Sequence, residues 1–236
     1  MTMRQELRSL KLDQAPATVR KPGRPKGGRS GETRERILDA AEQLFADRGY
    51  DGASIRDVAS AAGLQIHSIG YHFGPKEQLF DAVVARRADI MTGLRREALA
   101  EARQRAGGDA IPIVQLVRDY VSPFIQSASH GDVGWRNYAA LMGRLANSPL
   151  GTEIIARHYD ETAREYIAEL QRALAGADPE DVVDGFSAMV AAMLGICAAT
   201  GRPERLSGRR AQRPPEDSFE TLVRFHTAGF LTLTIA

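Results

Sequence analysis

The chain has 236 residues, 43% of them apolar and 26% charged, and a formal net charge of +1. That is enough for one large domain or two modest ones of ordinary globular composition, and bulk charge points to no partner. One cysteine, Cys197, excludes an internal disulfide and a cysteine-cluster metal site, which fits a reducing cytoplasm. The most apolar stretch, 188–200, is shorter than the roughly 20 residues a bilayer helix needs, and no apolar run follows the basic N-terminus, so neither a membrane span nor a signal peptide is expected.

The charge is unevenly placed. Residues 1–36 hold ten Lys or Arg and four Asp or Glu, a net +6, which leaves −5 on the other 200. Residues 1–31, rich in Pro, Gly and base, read as a flexible basic arm. Its GRPKGGRS at 23–30 has the glycine spacing of a phosphate-binding G-x-x-x-x-G-K-[ST] loop, with Arg29 in place of the Lys. Such a loop must follow a buried strand, and the preceding DQAPATVRK is not one, so the nucleotide reading falls. Two readings stay open: a solvated tail, or an arm whose Gly-Arg-Pro carries Arg24 into an A·T minor groove, as in an AT-hook.

Helical periodicity governs everything from Glu32 onward, and no stretch sustains strand alternation. A first helix carries Ile37, Ala40, Ala41, Leu44 and Phe45 and ends at Gly49. Ser54 caps a short helix bearing Val58 and Ala59; Gly63 supplies a left-handed turn; a second short helix spans 65–71. Two short helices around a glycine make a helix-turn-helix pattern, with Val58, Leu64 and Ile69 facing inward. Gly74-Pro75 then opens a long helix to about residue 105. Further helices are predicted over about 110–128, with a kink at Pro123, and over 134–146, 149–175, 179–200 and 217–235. Residues 201–217, with five arginines and three prolines, read as a long loop. The expected fold is all-α with about nine helices: a three-helix helix-turn-helix domain over 32–80, then a larger ligand-binding and dimerisation domain over 81–236.

The run TRERILDAAEQLFADRGYDGASIRDVASAAGLQIHSIGYHFGPKEQLF at 33–80 resembles the TetR family of transcriptional regulators: a T-R-x-x-I-L-x-A-A opening, an L-F-x-x-x-G-Y step and a Y-x-H-F-x-x-K-x-x-L close. The match covers about a fifth of the chain; WRNYAALMGRLANSP, from Trp135, is similar to the fatty-acid-responsive branch of the family. The resemblance implies that residues 65–71 enter the major groove of double-stranded DNA, with Gln65, Ile66, His67 and Ser68 nearest the base edges. It implies phosphate contacts from Ser54, Tyr71, His72 and Lys76, with Thr33 or Arg34 adding an amide or a charge at the first helix. Each has a plain alternative: Tyr71 or Phe73 as core, His72 as a half-buried cap, Lys76 as a solvated lysine. Gly70 and His67 depart from the family's usual Tyr and small residue, which unsettles any transfer of base preference.

Such a small reading head needs two copies for a useful site, so the resemblance implies a homodimer on a pseudo-palindromic operator, its recognition helices roughly 34–36 Å apart. Helices 179–200 and 217–235 are apolar over more than one face. Val182, Phe186, Val190, Met193, Leu194, Phe219, Leu222, Phe225 and Phe230 are expected in a four-helix bundle with a symmetry mate, the small Gly185, Ala192, Gly195 and Ala199 permitting close approach. The alternative is that both helices are buried within one subunit. Tyr120, Phe124, Trp135, Tyr138, Met142, Tyr159, Met189 and Met193 are candidates to line a pocket for a small hydrophobic effector, against ordinary core packing. Effector binding would shift the long helix, with Gly93 and Gly107-Gly108 as points of give. The function read is a ligand-responsive, sequence-specific repressor released by its effector; the alternative is a sequence-tolerant DNA-binding protein without effector response. An enzyme is not expected: DGFSAM breaks G-x-S-x-G at its last position, there is no H-E-x-x-H, and Cys197 sits on an apolar helix. No cofactor is expected, and no metal, His130 and His158 lacking ligand spacing.

Overall fold

The computed structural model describes residues 28–146, 148–198 and 200–234. The arm through residue 27, with Arg24, lies outside the described residues, as does Ala199. Contacts group the described residues from Arg34 onward into one compact unit.

Among the described residues the elements are helices. They are α1 (Gly28–Gly52), α2 (Ile55–Ala61), α3 (Ile66–Phe73), α4 (Lys76–Ala106), α5 (Ile113–His130), α6 (Val133–Leu145), α7 (Pro149–Ala173), α8 (Pro179–Cys197), a short α9 (Arg202–Ser207), a 3-10 turn (Pro215–Ser218) and α10 (Phe219–Thr232). The helix start expected at Glu32 comes one turn earlier, at Gly28. The glycines there, each weighing about 1 kcal/mol against helix, hid that turn from a propensity reading. The expected loop over 201–217 holds α9 and the 3-10 turn, because Glu204 accepts from the Arg213 amide at 3.0 Å and Arg213 reaches Asp217 at 3.1 Å. Pro123 removes one backbone donor, yet α5 runs on through it.

Gly49 breaks the regular course of α1 at φ +72°, as its position in the sequence predicts. Ser54 closes a reciprocal capping box: its Oγ accepts from the Asp57 amide at 3.1 Å, and Asp57 Oδ2 accepts from the Ser54 amide at 3.0 Å. Gly63, at φ +64°, makes the turn into α3, and the Arg36 guanidinium donates to the Ala62 carbonyl beside it. The small hydrophobic centre under this turn joins Ile37, Phe45, Val58, Ala59, Ile69, Phe73 and Phe80. Phe45 and Phe80 meet edge to face at 4.8 Å.

The long α4 continues from this centre into the rest of the unit, packing against α5 and α7. The expected domain boundary at residue 80 therefore falls inside a continuous helix. Gly107, left-handed at φ 58°, caps it. α10 lies against α5 and α8, and α6 bridges α5 and α8.

Candidate nucleic-acid interface and internal cavity

α3 is amphipathic in eight residues, about two turns of helix. Ile69 and Phe73, four apart, are buried, which turns Ile66, His67, Gly70 and Tyr71 outward. Tyr71 is 85% exposed and Ile66 48%. Both side chains stand in water on a helix whose other face is core, which makes this the face the chain presents outward. Gln65 caps the helix with its backbone alone, leaving its amide side chain unspent, and Ser68 is half-buried beside it. Phe73 is core and Tyr71 is not, which settles two of the open alternatives.

The expected phosphate contacts are less free. The Ser54 hydroxyl donates to Asp57 Oδ2 at 2.6 Å, so it would have to give up that bond to reach a phosphate. Those bonds hold the Asp57 carboxyl below its ordinary range. Lys76 is half-buried, its ammonium 4.1 Å from the centre of the Tyr50 ring. Tyr50 in turn donates to Glu77 at 2.9 Å, and burial with that partner pushes its phenol up to about 12. Arg34 lies 5.1 Å over the Phe73 ring and pairs with Glu35 at 3.3 Å. His72 is half-buried, 5.2 Å ring to ring from Tyr71. Thr33 stands in the second turn of α1. Arg56, which sequence reading passed over, is exposed on α2 and adds a cation to this end of the molecule.

Further along the chain, a cavity of about 650 Å³ lies between α4, α5, α6, α7 and α8. Five of the expected pocket residues line it: Tyr120, Phe124, Met142, Tyr159 and Met193. Three do not. Met189 is buried in the core, Trp135 packs at 4.7 Å under the Arg87 guanidinium, and Tyr138 stands behind the wall, sharing a hydrogen bond with the Tyr159 hydroxyl. Burial raises both phenols, Tyr159 to about 12. Conversely Phe186, Val190 and Leu194, expected at a dimer interface, line the cavity from α8. Val182, Leu222 and Phe230 are also spent inside the subunit, Phe230 closing directly over Gly185. Period alone does not say which of two apolar faces meets which neighbour, and that is why these assignments changed sides. Phe219 is half-buried, and Ala192 with it. Val183 on α8 and Phe225 and Leu231 on α10 are exposed apolar residues outside the cavity lining, whereas the exposed Ser187, Ala191 and Gly195 of α8 line the cavity. Phe225 is 74% exposed.

Sequence reading missed Arg95. It lines the cavity yet is 2% exposed, its Nε donating to the Tyr120 carbonyl at 2.8 Å. A signal was available: Ala88, Met91, Thr92, Arg95, Leu99 and Ala102 recur at helical spacing and all are buried.

α6 ties this cavity to α1. Tyr138 meets Trp135 edge to face at 6.0 Å. Arg87, over Trp135, donates twice to Glu42 of α1 at 3.1 Å, and Arg86 adds a third bond at 2.8 Å. Glu42 is 1% exposed. Gly134 permits the approach, since a Cβ there would stand 1.9 Å from Arg87 Nη2. Asn137 donates to Gln43 and Arg144 to the Asp47 carbonyl, each at 2.9 Å.

Among the described residues no group of three or more His, Cys, Asp or Glu is placed to hold a metal ion, and no helix is long and apolar enough to cross a membrane.

Residues 37–83 match the family model described as bacterial regulatory proteins, tetR family, and residues 118–229 match a tetracyclin repressor-like C-terminal domain. The HTH-type transcriptional repressor KstR2 of Rhodococcus jostii is 38% identical over 79 residues, 34% of this chain and 38% of that protein. The HTH-type transcriptional activator FasR of Mycolicibacterium smegmatis is 32% identical over 120 residues, 48% of this chain and 51% of that protein. The chain thus spans about half or less of the curated relatives it matches. A solved structure of the fatty acid degradation regulator FadR from Bacillus halodurans superposes with a TM-score of 0.54 over 89% of this chain and 98% of its own, at 16% identity, a likeness of fold. A helix-turn-helix built on Val58, Gly63 and Ile69, a helical body behind it, and both halves matched in order place the chain in the TetR family of bacterial transcriptional regulators.

Proposed function

We propose that this chain is a homodimeric repressor that binds a pseudo-palindromic double-stranded DNA operator and leaves it when a small, largely apolar effector enters the cavity. The observation that carries this reading is the outward face of α3, where Ile66, His67 and Tyr71 stand in solvent on a helix anchored by Ile69 and Phe73. Gln65 is suited to adenine and Ile66 to a thymine methyl; Tyr71, His72, Arg34 and Arg56 serve phosphates. Residues 32–80 act as the reading head, 81–236 as the effector and pairing body, and 1–31 as a basic arm. The uncovered faces of α8 and α10 pair with their symmetry mates. Effector binding against Tyr159 is transmitted through Tyr138, Trp135 and Arg87 to Glu42 on α1, so the coupling runs through α6 as well as the long α4. By linkage, DNA weakens effector binding as much as effector weakens DNA binding.

The test is selection from a random DNA pool by the full chain, at near-physiological salt with competitor DNA. Enrichment of a two-fold-symmetric site is expected. No enrichment would favour the sequence-tolerant reading, and a tightly held ligand that leaves operator affinity unchanged would sink the release mechanism. One aligned relative is named a repressor and another an activator. A reporter with the operator placed over, then upstream of, a promoter separates these signs.

A further inference from the structure

The cavity wall is mostly apolar, with Thr152, Asp160, Ser187 and Thr200 among its polar members, and a buried guanidinium, that of Arg95, forms part of it. Arg95 is 2% exposed, and among the described residues no carboxylate lies within 4.0 Å of it. Of its donors, Nε is spent on the Tyr120 carbonyl at 2.8 Å, and Nη2 faces only the Met193 thioether at 3.7 Å. The Tyr120 ring lies 3.8 Å below the guanidinium carbon and the Tyr159 ring 5.8 Å away. Asp160, the one carboxylate lining the cavity, is bound at 3.0 Å by Arg164 on the same helix.

An arginine does not shed its proton, so this charge stays. A buried charge is normally paired, because desolvation costs more than ring contacts return. Arginine's planar fork also fits carboxylates two bonds at a time. An unpaired guanidinium walled by Tyr120, Phe124, Phe186, Val190 and Met193 has the form of a binding site awaiting its counter-ion.

We infer that the occupant of this cavity is an amphipathic monocarboxylic acid, its carboxylate on Arg95 and its apolar body against α5 and α8. This rests on the reading of the cavity as the effector site and narrows that ligand from a hydrophobic molecule to an organic anion. Arg95 then both selects the ligand and gains from it the partner the fold withholds.

Titration calorimetry of the full chain tests this with three probes sharing one chain length: decanoate, 1-decanol and decyltrimethylammonium. Decanoate is expected to bind roughly tenfold or more tightly than decanol, the worth of a charged hydrogen-bonded pair. The cation is expected not to bind. Arg95→Met should erase or invert the preference while keeping decanol binding, and Ala163→Phe, which fills the cavity, should abolish both. If Arg95→Met does not fold, Arg95→Lys keeps the charge, and the wild-type ratio decides by itself. Equal affinity for acid and alcohol would overturn the inference and leave the effector cavity standing. Decanoate binding that survives Ala163→Phe would place the anion elsewhere and overturn it too. If no probe binds, the cavity reading fails along with the inference.

Discussion

The reading head and the cavity dispose of polarity in opposite ways. The head shows water its apolar and aromatic side chains, Ile66 and Tyr71, over a small core. The body hides a permanent charge, Arg95, inside an apolar wall. Each is unfavourable in isolation, and each is where the proposed function places a partner. Between them sits Glu42, a buried carboxylate gripped by two arginines, which costs nothing comparable because its partners are built in.

The largest effect should come from cutting that junction. Glu42→Ala removes the buried carboxylate while Arg86 keeps Asp39 and Glu35 and Arg87 keeps Asp132, and should still lower unfolding free energy by about 3 kcal/mol in denaturant titration, the low end for breaking a buried pair. A loss under 1 kcal/mol would mean the ion pairs are solvated in practice. Next come the neighbours Phe73 and Tyr71, which separate core from surface. Phe73→Ala should cost about 3 kcal/mol of stability. Tyr71→Ala should change stability by less than about 0.5 kcal/mol yet weaken operator binding, roughly equally across sequences, as a phosphate contact would.

A smaller effect concerns pH. Asp119 on α5 has one oxygen held by Gln115 at 2.7 Å and the other buried without a partner, and desolvation raises its carboxyl to about 6. The folded state thus holds this proton more tightly than the unfolded chain, so stability falls as pH rises from about 4 to 6 and is level beyond. Asp119→Asn, which keeps the Gln115 bond, should add about 1 kcal/mol at pH 7 after allowing for its partial exposure, and nothing near pH 3.5. A gain that is the same at both pH values would mean the group is not titrating in that window. The smallest stability effect should be Phe225→Asp, neutral in the monomer because the ring is already in water, yet expected to shift sedimentation from dimer to monomer.

The head was legible in the sequence because its signals are local. Ser54 ahead of a short helix, Gly63 between two short helices, and Val58 and Ile69 on the inward faces each fix a feature within one or two turns. The body was legible as helices but not as a site. Phe186, Val190 and Leu194 share the composition of an interface and turned out to face the cavity, since which neighbour an apolar face meets depends on residues far away in the chain. Arg95 was hidden by its type: arginine on a helix is nearly always solvated, and only its register with Met91 and Leu99 betrayed it. Trp135 was placed one layer too near the cavity.

That displacement has a practical consequence. The chain has a single tryptophan, and it lies where α6, α4 and the Glu42 junction meet, against Tyr138 on one side and a guanidinium on the other. Indole emission shifts with the charge held over the ring. On the proposed function, the molecule would therefore carry its own optical gauge at the junction of cavity and reading head, readable without a label on addition of operator or effector.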